Sequence, residues 1–266
     1  MSSSRSLPVA RAVVLVLAVG QFVSSALSGL LAAPQQSGVE FSPLIPPGAM
    51  FSIWGVILIL SLTWAALQVR PSVRDDEVRD ALAPPLIVAF SGFSLWLVAA
   101  AGSQSNWLTL PVFVLLIGGL LWAVSVGLKN RAHIARWATF DRVLLWTLLG
   151  MYTGWASVAI FINVAVVVQA TGAPITGTWG LIWQVLVALA AVGLGVMVAW
   201  RTGNLVYAAT VCYALVGAII STLRYGFPVL AAVCAVGIVG VVVTTVVARS
   251  KADRTGALRL RVDAVS

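Results

Sequence analysis

The chain has 266 residues, of which 61% are hydrophobic and 9% charged, and its mean hydropathy is +1.03. An ordinary soluble domain carries about 25% charged residues, so a water-soluble fold is excluded and the length is better counted in stretches of roughly 20 apolar residues, enough to cross a bilayer core of about 30 Å. The net charge of +8 could suggest a nucleic-acid partner, and the placement of the basic residues between the apolar stretches decides that question.

Eight apolar stretches are predicted, and each must be a helix because lipid offers no partner for backbone N–H and C=O groups. The expected fold class is therefore all-α, a polytopic integral membrane bundle. Span one, Leu7–Leu31, has Arg5 and Arg11 at its head and places Gln21, Ser25 and Ser28 on one face. These could meet a neighbouring helix or a polar cavity wall. A cleaved signal peptide is the alternative for this segment, ending at Leu31-Ala32-Ala33, but the apolar run exceeds the about 7–15 residues of a signal core.

Between Ala32 and Pro47 lies a Pro- and Gly-rich loop containing Glu40, the only carboxylate on its side of the membrane. Span two, Gly48–Val69, follows Pro46-Pro47-Gly48. Prolines fit a helix's first turn and not its interior, so this triplet should end the loop and launch the helix. The next connection, RPSVRDDEVRD, carries Arg70, Arg74 and Arg79 among acids at near-helical spacing, and a solvated turn with internal ion pairs is expected.

Span three is Ala81–Ala101 and span four Trp107–Leu128. After them come Lys129, Arg131, Arg136 and Arg142, with the single histidine, His133, expected as a solvated loop residue. Asp141 and Arg142 read as an interfacial ion pair. No ionisable residue falls in the middle of any span, which argues against proton-coupled transport. Trp54, Trp64, Trp96, Trp122, Trp146 and Trp155 lie too deep, or on the wrong turn, for all to be interface anchors. They either fill space between helices or offer flat faces to a planar ligand.

Span five, Val143–Val168, is the most informative. Tyr152, Trp155, Ala159 and Asn163 share one face, Gly150 and Gly154 form GxxxG, a spacing that admits another backbone, and Asn163 should face the bundle and bond to a neighbour or a ligand. Spans six to eight, Trp179–Trp200, Leu205–Leu223 and Gly226–Ala248, are richer in Val, Ala and Gly, with Trp179, Trp183 and Trp200 near span ends. Cys212 and Cys234 differ in depth by roughly 10 Å at the helical rise, too far for a disulfide. A short basic tail follows.

Fifteen of the sixteen basic residues thus fall on one side, leaving Arg224 on the other. By the positive-inside rule the basic side is the cytoplasm, which places both termini there and gives a multi-pass cell-membrane protein. The basic pI reports topology, and no nucleic-acid partner is expected.

Two motifs carry a family resemblance. Tyr152-x2-Trp155-x-Ser157-x-Ala159-x3-Asn163 and Ile45-Pro46-Pro47-Gly48-Ala49-Met50-Phe51-Ser52-Ile53-Trp54-Gly55 resemble the fifth helix, and the loop leading to the second helix, of the translocator protein / tryptophan-rich sensory protein (TspO/MBR) family, in particular its longer prokaryotic members. Ala49, Phe93 and Met151 stand where that family has Trp, Asn and Pro. The resemblance runs from about Leu7 to Ala170 and implies a five-helix bundle over residues 1–170, leaving three further helices over 171–250 and a basic tail over 251–266.

It implies a non-enzymatic sensory or translocator-like protein with a tetrapyrrole as its candidate ligand, bound beneath the loop. It brings no resident cofactor or metal. The expected lining is Pro47, Gly48, Phe51, Trp54, Trp96, Tyr152, Trp155 and Asn163, and the expected partners are the bilayer and a hydrophobic small molecule, with a homodimer allowed. A small-molecule permease using all eight helices is the alternative.

Overall fold

A computed structural model describes residues 9–32, 42–101 and 107–263. The elements are α1 (Val9–Ala32), a 3-10 turn Gly48–Ser52, α2 (Ile53–Gln68), a 3-10 turn Pro71–Val73, α3 (Glu77–Ala100), α4 (Thr109–Lys129), the short α5 (Arg131–Ile134), α6 (Thr139–Ala170), α7 (Gly177–Thr202), α8 (Leu205–Arg224) and α9 (Pro228–Asp263). Eight of these helices are long and apolar enough to cross a membrane, and no strand occurs among the described residues. The chain is a polytopic helical membrane bundle.

The prolines behave as their chemistry requires, with one difference from expectation. Pro47 (φ −53°, ψ 141°) precedes a 3-10 turn over Gly48–Ser52, so the α-helix begins only at Ile53. The amide of Met50 donates to Pro47 O at 2.9 Å. Glu40 and most of the loop before it lie outside the described residues.

At the basic end, Asp76 caps α3, its carboxylate accepting from the Val78 and Arg79 amides at 3.0 and 3.2 Å. Asn204 caps α8 in the same way, accepting from Val206 and Tyr207 at 2.8 and 3.2 Å. Gly203, at φ +56°, terminates α7 in the left-handed conformation, so α7 and α8 join through two residues. α9 continues beyond the expected end of span eight as helix to Asp263.

Small residues set the closest helix contacts. A methyl group on Gly92 of α3 would lie 2.7 Å from the Leu116 amide nitrogen, and one on Gly119 of α4 would lie 2.6 Å from that of Ala89. α3 and α4 therefore meet backbone to backbone. α6 is the most buried span and packs on α2, α4, α7 and α8, while α7 and α8 both pack on α9. The apolar core is continuous from Val14 in α1 through Tyr152 and Trp155 in α6 to Val211 in α8 and Val241 in α9. It runs on past residue 170, where the sequence resemblance stops.

Candidate functional site

The cavity lies at the end of the bundle opposite the arginine-rich one. Its volume is about 310 Å³, and its walls come from α1 (Ser25), the loop (Ile45), the 3-10 turn (Phe51), α2 (Trp54), α3 (Phe93, Trp96, Leu97 and Ala100), α4 (Phe113) and α6 (Ala159, Ile162, Asn163 and Val166). Helical spacing explains the α3 and α6 contributions, because residues three or four apart share a face. Phe93, Trp96 and Ala100 form one such set, and Ala159, Asn163 and Val166 form another.

Five aromatic rings build most of the wall. Trp54 packs against Phe93 at 4.9 Å and Trp96 at 6.2 Å between ring centroids, and Trp96 meets Phe113 edge-on at 5.3 Å. The polar side chains of Ser25 and Asn163 interrupt this surface. Asn163 Nδ2 donates to Thr109 Oγ1 of α4 at 3.0 Å. The indole N–H of Trp96 is buried away from the cavity and has no acceptor among the described residues.

Of the residues expected to line a pocket, Phe51, Trp54, Trp96 and Asn163 do so. Tyr152 and Trp155 stand one layer behind, fully buried, and back the wall through Trp54 at 5.8 and 6.3 Å. Tyr152 accepts a hydrogen bond from Gln21 Nε2 at 2.9 Å, so the polar face of α1 meets Tyr152 with Gln21 and the cavity with Ser25. Pro47 and Gly48 do not touch the cavity; they start the turn that carries Phe51 into it. Ile45, Phe93 and Phe113 were not among the expected lining. Phe93 was legible as the residue one turn before Trp96, whereas Ile45 and Phe113 have no local signal.

GxxxG in α6 receives α8. A methyl group on Gly150 would lie 3.0 Å from the Tyr207 amide nitrogen, and one on Gly154 would lie 2.9 Å from Tyr207 O. Tyr207 donates to Ser157 Oγ at 3.1 Å, and Asn204 Nδ2 donates to Trp146 O at 2.9 Å. α8 also supports the turn beside the cavity: Tyr213 donates to Met50 O at 3.2 Å and lies 6.2 Å from Trp155.

At the opposite end, the charges pair across the bundle. Asp141 accepts from both Arg70 and Arg79 at 2.7 Å, not from Arg142, whose guanidinium bonds to Ala135 O at 3.0 Å. Adjacent residues on a helix point about 100° apart, so Asp141 and Arg142 face different neighbours. Arg79, only 3% exposed, also donates to Gln68 Oε1 at 2.8 Å and lies 4.0 Å from the Trp137 ring.

Arg11 is buried. It pairs with Asp80 at 2.7 Å and donates to the carbonyls of Val73 and Asp76, each at 2.7 Å. The connection expected to be a solvated turn is thus stitched to α1 and α6. Trp64, 1% exposed, belongs to this cluster, 6.0 Å from Trp137, while Trp122 lies half exposed on the outer face of α4. His133 is partly exposed and lies 3.3 Å from the Asp76 carboxylate. Burial favours the neutral form of Asp76, but the Arg79 amide, His133 and the Arg79 charge together outweigh it and hold this carboxyl below its ordinary range. Cys212 and Cys234 are free thiols.

The family model described as TSPO-like protein matches residues 11–247. The chain belongs to the TSPO-like protein family. The motifs of spans two and five pointed to this assignment, but the match is wider than they suggested, running from α1 into α9 and taking in α7 and α8. No curated protein matches the chain, and no solved structure does. In this TSPO-like bundle the motif residues divide between two tasks: Asn163 and Ala159 face the cavity, and Ser157, with Gly150 and Gly154, holds α8.

Proposed function

We propose that this TSPO-like protein binds a planar apolar small molecule in the cavity between α1–α4 and α6, and acts as a membrane receptor or carrier and not as an enzyme. The carrying observation is the aromatic wall of Phe51, Trp54, Phe93, Trp96 and Phe113, interrupted by the polar side chains of Ser25 and Asn163. Small-molecule sites have this composition, a mostly apolar surface with a few polar groups that fix orientation. A ligand with flat faces and one polar group at its edge fits it: the faces stack on the rings, and the polar group meets Asn163 or Ser25.

Volume refines the ligand class. About 310 Å³ is near the lower end of the roughly 300–1,000 Å³ typical of such sites, which favours two or three fused rings. A tetrapyrrole, the ligand implied by the family resemblance, requires Ile45 and Phe51 to move outward with the loop and turn that carry them. With the basic end cytoplasmic, the ligand reaches the site from the outer half of the membrane. α7, α8 and α9 give no wall to this cavity, so a permeation path through all eight helices draws no support from it.

The test is a titration of purified protein with graded planar aromatics, from bicyclic to tetrapyrrole, read by quenching of tryptophan fluorescence. Trp96→Ala, which removes one of the flat faces of the wall, is expected to weaken binding about fivefold, the equivalent of one aromatic contact. Asn163→Ala should weaken it similarly. Unchanged quenching in both variants would place the ligand elsewhere.

A further inference from the structure

The sixteen basic residues are not all used in the same way. Those on the α1–α3 side of the basic end, Arg11, Arg70 and Arg79, are paired with Asp80, Asp141 and Asp76. On the other side, between α5–α6 and α7–α9, a groove of about 570 Å³ is lined by Arg131, Arg142, Arg201 and Arg249 with Trp146 and Trp200, and by no carboxylate. None of the four arginines has an ion-pair partner among the described residues.

Three of them are oriented by the fold through a single carbonyl each, which leaves most of each guanidinium's five N–H donors for something else. Arg131 donates to Thr202 O, Arg142 to Ala135 O and Arg249 to Gly203 O. Arg201 makes no hydrogen bond to the described residues. Four like charges converging without an anion repel one another, and an oxyanion that accepts from several guanidinium forks relieves that repulsion. Burial also lowers the proton affinity of Arg131, as expected of a partly desolvated cation lacking a counter-charge.

The position of the groove indicates what supplies the anion. It sits where transmembrane α6 begins and α7 ends, and Trp146 and Trp200 suit the interfacial layer. Its rim is apolar and exposed: Val143 and Leu205 are 55% and 54% accessible, a surface for acyl chains directly below the arginines.

We propose that this groove binds the phosphate headgroup of an anionic phospholipid from the leaflet at the basic end, with the four arginines on the phosphate and the acyl chains along Val143 and Leu205. This site is separate from the aromatic cavity and does not depend on the ligand proposed for it.

The full-length protein in phosphatidylcholine nanodiscs, doped with phosphatidylglycerol, would be released and its retained lipids counted by native mass spectrometry. Phosphatidylglycerol should be enriched over phosphatidylcholine. Arg201→Gln, at a side chain the fold does not use, should reduce the enrichment about fivefold, and Arg201→Gln/Arg249→Gln should reduce it further, as expected for basic residues at a membrane surface. Arg136→Gln, at the same end but outside the groove, should leave it unchanged. Equal retention of the two lipids, or unchanged enrichment in the double variant, would overturn the proposal. Displacement of the lipid by millimolar inorganic phosphate would overturn the lipid as occupant and assign the groove to a soluble phosphate.

Discussion

Asp141 is the residue on which the basic end depends. Its carboxylate is 6% exposed and serves Arg70 and Arg79, and Arg79 is itself buried among Gln68, Trp64 and Trp137. Removing the acid leaves the buried Arg79 only the longer contact to Asp76 at 3.5 Å, so Asp141→Ala is expected to destabilise the fold by roughly 3 kcal/mol, read as a loss of unfolding free energy in detergent titration. Arg142→Ala, which removes a single exposed hydrogen bond, should cost about 1 kcal/mol or less. A stability equal to that of the unchanged protein in Asp141→Ala would remove the network from the account. This pairing was not legible in the sequence, because the partners lie 71 and 62 residues away and only the tertiary packing brings them together. What was legible was local: Trp96 and Asn163 stood out because an indole or an amide in a span needs a reason to be there, and both reach the cavity. Tyr152 and Trp155 share the helix face of Asn163 yet sit behind Trp54, since a shared face does not say how far a neighbouring helix covers it.

Among the elements, span limits were readable to within a few residues because the bilayer imposes length and apolarity on each helix independently. Partners were not, since apolar surface in lipid does not encode which helix it meets. GxxxG in α6 announced a close approach, and only the structure shows that α8 makes it, with the Tyr207 backbone over Gly150 and Gly154. Gly154→Leu therefore drives a side chain into Tyr207 O and Thr210. It should lower stability by about 1–3 kcal/mol or more and separate α8 from the turn that Tyr213 and Gly217 support through Met50. Gly118→Leu, where a side chain meets open space, is the matched control. Equal melting temperatures for the two variants would contradict the assigned contact. Pro46-Pro47-Gly48 did mark where the loop ends and span two begins, at Gly48, but not that its first turn is 3-10 and the α-helix starts at Ile53.

For the molecule as a whole, the asymmetry of fifteen basic residues to one predicts, by the positive-inside rule, that the basic end faces the cytoplasm, and this expectation is open to direct labelling. In a background lacking Cys212 and Cys234, Ser72→Cys should react with an impermeant maleimide only from the cytoplasmic side. Thr171→Cys should react only from the outside. The reverse pattern would invert the topology and, with it, the side from which the cavity is reached. The continuous core from Val14 to Val241 and the family match over residues 11–247 make α7–α9 part of one bundle, in which α8 supports the cavity without lining it.

The central claim, that the aromatic cavity is a ligand site and not merely packing, is tested most directly by filling it. Ala159 faces the cavity from α6, so Ala159→Phe places a ring in the proposed ligand's space. The account predicts that a planar fused-ring aromatic quenches tryptophan fluorescence saturably in the unchanged protein, and that this quenching is lost in Ala159→Phe while the melting temperature is kept. Saturable quenching of the same strength and affinity in both proteins, or in neither, would contradict it.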